Sequence, residues 1–159
     1  MGDGRLEVGF IPGPECCGMN SSYIERNRVA LTAAGVRAML DAAERKALEI
    51  GVGQCIAIVD PGGALLAFSR MDGGRIASID IAVTKAFSAA TRRRPTAEEV
   101  GGDVLLGLRL AIASNNKVTN VGGGLPIVID GQTIGAIGVS SGTVDEDTLV
   151  AQAALAVLA

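Results

Sequence analysis

The 159-residue chain contains no histidine and no tryptophan. The missing histidine removes several function classes at once. No Ser-His-Asp or Cys-His catalytic arrangement can form within this chain. A histidine-built zinc or non-haem iron site is excluded, and so is histidine-ligated haem. Aromatics are scarce, with one tyrosine (Tyr23) and three phenylalanines (Phe10, Phe68, Phe87). A chain with so few rings has little to stack on bases, and a net charge of −3 offers no excess for a phosphate backbone. Nucleic-acid binding is therefore not expected, and Arg92-Arg93-Arg94 is too short a basic run to change that. No stretch approaches the ~20 apolar residues of a membrane helix. Residues 1–15 carry Asp3, Arg5 and Glu7 and do not read as a signal peptide. The three cysteines are an odd number, and the adjacent Cys16 and Cys17 do not readily bridge each other. The expectation is a protein of the reduced cytoplasm.

What the chain has in quantity is small and aliphatic. Hydrophobic residues make up 48% and there are 22 glycines. The core should be aliphatic, with tight turns or close backbone approaches at some glycines. Residues 1–28 read as an irregular arm, punctuated by Pro12, Gly13, Pro14 and Gly18, and residues 29–159 as one domain. Within the domain, Thr32 caps a helix whose Val36, Met39, Leu40, Ala43, Ala47 and Ile50 recur at helical spacing, and Gly51 stops it. A strand over 54–60, the turn Asp60-Pro61-Gly62-Gly63 and a strand over 64–70 form a hairpin. A helix follows over about 77–93, with a core stripe of Ile76, Ile79, Val83, Phe87 and Ala90. Thr96 and Glu99 suggest a capping box, and an apolar helical pattern runs over 104–114. A second hairpin spans 126–140. Thr143 and Glu146 cap a last helix through Leu158. Two hairpins among helices predict an α+β layered sandwich with an antiparallel sheet.

Several runs agree, in order and spacing, with a known family: Ile56-Ala57-Ile58-Val59-Asp60-Pro61-Gly62-Gly63, Arg70-Met71-Asp72-Gly73, Ser78-Ile79-Asp80-Ile81-Ala82 with Lys85-Ala86, Arg94-Pro95-Thr96, Gly122-Gly123-Gly124-Leu125-Pro126-Ile127, and Ile134 to Ser140. Over residues 30–159 the chain resembles the GlcG/HbpS family. The resemblance implies a profilin-like fold, with an antiparallel sheet of about five strands flanked by helices and assembled into homo-oligomers. It implies mixed functions, since some members bind or degrade haem and others accompany enzymes of small organic acids. The segment 10–19 is not part of the common domain.

Lys85 stands out as a charge inside a helix of Ala, Ile and Val. It reads as a pocket acid/base or anion contact, or as a plain partner of Asp72 or Asp80. Arg70 and Asp72 share a strand face, as a carboxylate clamp with an acid/base, or as a structural ion pair. Gly122, Gly123 and Gly124 form an anion nest or a ligand approach, or only a turn. Ser140, Asp60 and Cys17 complete the candidate ligand contacts, although Asp60 is most simply a turn residue and Cys17, with Cys16 and Met19, lacks CxxC spacing. No metal site is expected. The resulting expectation is a cofactor-independent enzyme acting by proton transfer on a small, oxygenated, anionic molecule, of isomerase, tautomerase, lyase or hydrolase type. Lys85, Arg70 and Asp72 would be its catalytic groups. The alternative is a non-catalytic protein binding a small ligand such as haem, held through Cys, Met, Lys or Tyr.

Overall fold

The computed structural model describes residues 29–96 and 104–158. The helix expected first is α1, Ala33–Glu49. The Thr32 hydroxyl accepts the Gly35 N–H at 3.1 Å. The helix closes as anticipated: Gly51 adopts φ +72, its N–H bonds Leu48 O, and Val52 N–H bonds Ala47 O. This paired closure satisfies carbonyls that the helix would otherwise leave open.

The first hairpin is β1 (Cys55–Val59) and β2 (Leu65–Arg70). The second is β3 (Gly124–Ile129) and β4 (Gln132–Ser140). Antiparallel pairing of β1 with β4 joins them into one sheet of order β2-β1-β4-β3. The sheet has four strands among the described residues, where the family resemblance implied about five. Four is the number that two hairpins supply.

Every residue of β1 is buried, because helices cover both faces of the sheet. Ile56 and Ile58 point into a cluster with Val36, Met39 and Ala43 of α1 and with Val150, Ala151 and Ala154 of α4, Val144–Leu155. Cys55, Ala57 and Val59 point the other way, into a small-residue cluster built on α2, Ser78–Arg92. Burying each large aliphatic side chain contributes about 1.5–3 kcal/mol. The capping box at Thr143 and Glu146 is formed, with both reciprocal hydrogen bonds present.

Helix α2 corrects the expected packing. Ile76 is 75% exposed, and Ile79 and Val83 are only partly buried. The face turned inward carries Ser78, Ala82, Lys85, Ala86 and Ala89. The reason is distance. A Cβ placed on Gly138 of β4 would overlap Ala82 O and Ala86 N. The helix lies so close to the sheet that only small residues fit between them, so the bulky residues take the flanks. Phe87 covers Gly63 in this way, where an added Cβ would overlap its ring.

A further helix, α3, spans Val104–Ala113. The connection from α3 to β3 is tied to α2 through Ser88, whose Oγ accepts Thr119 N–H at 2.8 Å. The capping box expected at Thr96 involves Glu99, which lies outside the described residues, as does the arm 1–28. The Thr96 hydroxyl instead accepts Gly124 N–H at 3.0 Å.

Candidate functional site

Lys85 is the largest fully buried side chain of the described residues. Its Nζ donates to Asp147 Oδ2 at 2.7 Å and to Val139 O at 2.8 Å. Asp147 is the fourth residue of α4, so the pair ties α2 to α4 across the end of β4. Both side chains are about 3% exposed or less. The second carboxylate oxygen, Oδ1, accepts Gly142 N–H at 3.0 Å. Gln54 completes the network: with its amide nitrogen facing the acceptors, it donates to Ser140 O at 2.6 Å and to Asp147 Oδ1 at 3.0 Å. No side-chain nitrogen or oxygen that is fully sealed from solvent among the described residues lacks a partner.

The glycine run packs against this pair. Gly123 has φ +102, and a Cβ there would stand 2.7 Å from Asp147 Cβ and 3.1 Å from Lys85 Nζ. Gly124 meets Lys85 O in the same manner, at 2.6 Å. The close approach expected of this run is made, but to the protein's own ion pair. Gly122, Gly123 and Gly124 are all buried.

Above the pair opens a cleft of about 210 Å³. Arg75, Ser78, Ser140, Ser141, Gly142 and Val144 line it, with Lys85 and Asp147 at its base. Arg75 and Ser141 clasp its rim: the Arg75 guanidinium donates to Ser141 O, and Ser141 Oγ accepts Arg75 N–H. Ser141 holds φ +108, a conformation unusual for a residue with a side chain. Ile81 and Val121 form one wall of the cleft and are shared with a neighbouring recess of about 440 Å³. Ala111, Val118, Thr84 and Thr119 continue that recess, with Asp80 and Asn116 at its edge.

Cys55 lies behind the cleft, its thiol donating to Arg75 O at 3.5 Å. Burial pushes this thiol up, the Arg70 charge pulls it partly back, and the Asp147 charge adds to the rise. Among the described residues no group of three or more Cys, Asp or Glu side chains is placed to hold a metal ion.

A family model described as haem-degrading protein HbpS-like matches residues 31–156. The chain belongs to this HbpS-like family. A 15.0 kDa Citrobacter freundii protein encoded between dhaT and dhaS is 41% identical, over 79% of this chain and 89% of its own. Protein GlcG of Escherichia coli K12 is 39% identical, over 72% of this chain and 84% of its own. The crystal structure of a PduOC–haem complex matches with a TM-score of 0.75 and 30% identity, over 81% of this chain and 95% of that one.

Membership of the HbpS-like family corrects the functional expectation. A model described by haem degradation, and a haem complex on the same fold, displace the cofactor-independent proton-transfer enzyme and favour the small-ligand alternative. The geometry gives a physical reason. Lys85 meets neither Asp72 nor Asp80 but is held between Asp147 and Val139 O. Arg70 and Asp72 are both exposed, form no ion pair with each other, and line neither cleft nor recess. The three candidate catalytic residues are thus not gathered. Asp60 serves its turn, with Oδ1 accepting Gly62 N–H and Ala64 N–H, each at 2.8 Å. Ser140 does line the cleft. Cys17 lies outside the described residues.

The sequence reading missed Asp147, Gln54, Arg75 and Ser141. A signal for Asp147 was present. It falls in helical register with Val150, Ala151 and Ala154, all buried, so a carboxylate belonged to an apolar face and needed a buried cation.

Proposed function

We propose that this chain binds haem or a related flat, apolar ring carrying carboxylates, in the recess between α2 and the α3–β3 connection. The observation that carries this reading is the likeness to the PduOC–haem complex at 30% identity over most of both chains. The recess supports it with an aliphatic wall of Ile81, Ala111, Val118 and Val121 suited to a ring face. Arg75 lines the adjoining cleft, which shares Ile81 and Val121 with the recess, and suits a carboxylate.

The fit to the iron is poorer than the fit to the ring. The recess-lining residues include no sulfur ligand, no lysine and no histidine. Binding here rests on ring contacts, so iron-free protoporphyrin IX should bind within a few-fold of hemin. Titration followed by the Soret band tests this, with a saturable one-to-one complex expected for both. Failure of both to saturate would overturn the reading. Self-association belongs to the same proposal: Leu105, Leu108 and Ile112 of α3 are exposed together, and light scattering on the titrated samples would report the assembly.

No helix of the described residues is long and apolar enough to cross a membrane.

A further inference from the structure

Two helices begin at one cleft. Ser78, the first residue of α2, and Val144, the first of α4, both line it. A helix N-terminus carries roughly half a positive charge and N–H groups without helical partners. On α4 that potential is already used, by the Thr143 cap and by Asp145, Glu146 and Asp147 in the first turn. On α2 the N-cap is Ala77 and no side chain caps the helix, although Ser78 N–H and Ile79 N–H bond back to Arg75 O and Ile76 O.

The second observation concerns hydroxyls. Ser78 and Ser140 are each 5% exposed, and both line the cleft. Among the described residues Ser78 Oγ and Ser140 Oγ have no hydrogen-bond partner, and each keeps some exposure at the cleft its residue lines. A largely buried hydroxyl facing a small polar space without a partner is suited to an oxygen ligand. The charge sets which ligand. Lys85 and Asp147 neutralise each other at the base. Arg75, exposed at the rim and giving one bond to Ser141 O, supplies the single unbalanced charge of the lining. A group with one negative charge fits, whereas a phosphate dianion would face Asp147 with only one cation to balance it. The space, about 210 Å³, suits a short group and not a large molecule.

We infer that this cleft binds a carboxylate, held by the Arg75 guanidinium and the Ser78 and Ser140 hydroxyls beside the start of α2. Two sources share that chemistry. Because Ile81 and Val121 form a wall common to cleft and recess, a carboxylate borne by a ring in the recess would reach it; this case rests on the proposed haem-type reading. A free short-chain carboxylate would need no such reading.

The test has two arms on the full chain. In the first, propionate is titrated into ¹⁵N-labelled protein against chloride at matched ionic strength. Saturable shifts are expected at the amides of Ser78, Ser140, Ser141 and Gly142. They should weaken about tenfold or more in Arg75→Gln and in the Ser78→Ala/Ser140→Ala double variant, since a charge-assisted bond is lost in the first and two hydroxyl bonds in the second. In the second arm, protoporphyrin IX is compared with its dimethyl ester. The ester should bind about tenfold more weakly than the free acid, and Arg75→Gln should abolish the difference. Propionate shifts without ester discrimination would support the site and assign it to free carboxylates. Propionate shifts with no porphyrin binding would leave the carboxylate site standing and remove the haem-type reading. No saturable propionate shift, together with equal binding of acid and ester, would overturn the inference.

Discussion

Removing Lys85 should expose how much of the fold depends on the buried pair. In Lys85→Met the Asp147 carboxylate stays in place with nothing on Oδ2, while Oδ1 keeps Gly142 N–H and the Gln54 amide. Breaking a buried pair from one side costs about 3–5 kcal/mol. With two donors remaining, this variant belongs near the lower end, at about 3 kcal/mol. Asp147→Leu is the harsher change. It leaves the ammonium with Val139 O alone, and takes the acceptor from Gly142 N–H and Gln54 as well. Its cost belongs near about 5 kcal/mol. The double variant removes both charges and leaves only neutral groups to find partners, so it should cost no more than Asp147→Leu alone. The cycle should then give a coupling on the order of 3 kcal/mol.

Urea unfolding followed by far-UV circular dichroism reads these differences as midpoints. With a slope of about 1.5–2 kcal/mol per molar, Lys85→Met should unfold about 1.5–2 M earlier than the parent. The gap should persist in high salt, because a dry pair is little screened. Lys46→Ala is the control: its partner Glu49 is 68% exposed, and losing such a pair should cost well under about 1 kcal/mol. A Lys85→Met midpoint within about 0.3 M of the parent would refute the reasoning, as would a coupling near zero.

Gly138→Ala should cost about 1–3 kcal/mol by forcing α2 off the sheet, read as an earlier urea midpoint; an unchanged midpoint would show that the helix has room the structure denies it. The Glu146 carboxyl is held below its usual value of 4.5, first by the Thr143 backbone N–H and then by the Thr143 hydroxyl. Its folded value lies below its unfolded one, so its contribution is complete above about pH 4.5 and fades as pH falls through the folded value. The advantage of the parent over Glu146→Gln should therefore shrink on acidification below about pH 4.5. A difference that does not change with pH would oppose the assignment.

The elements were legible because they depend on local chemistry. Thr32 and Thr143 cap helices through contacts three residues away, and Asp60 to Gly63 build a turn around the Asp60 carboxylate and carbonyl. The face of α2 was not legible for the opposite reason. Its orientation is set by Gly138, more than forty residues onward, where the absence of a side chain on β4 lets the helix settle on alanines. Hydrophobic periodicity ranks Ile79 and Val83 above Ala82 and Ala86, but the narrow gap ranks them the other way. The same contact buries Lys85. Once the small face turns inward, the lysine on that face goes with it and must find an anion.

Lys85, singled out in the sequence as a charge among Ala, Ile and Val, sits in the structure in a buried pair beneath the cleft. The bond it makes with Asp147 leaves the other carboxylate oxygen holding Gly142 N–H. Gly142 follows Ser141, whose backbone sits at φ +108 and whose carbonyl and hydroxyl engage Arg75. A conformation of that kind costs on the order of 1–3 kcal/mol and persists only where its neighbours hold it. One neighbour is the Arg75 clasp on one side of Ser141; the other is the Asp147 bond on the next residue. The lysine thus acts on the cleft from beneath: it fixes the carboxylate, the carboxylate fixes the loop, and the loop sets where Arg75 and the Ser140 hydroxyl stand. An apolar replacement of both residues would avoid the cost of burying two charges. What the apolar replacement could not supply is the hydrogen bond to Gly142, and with it the shape of the rim.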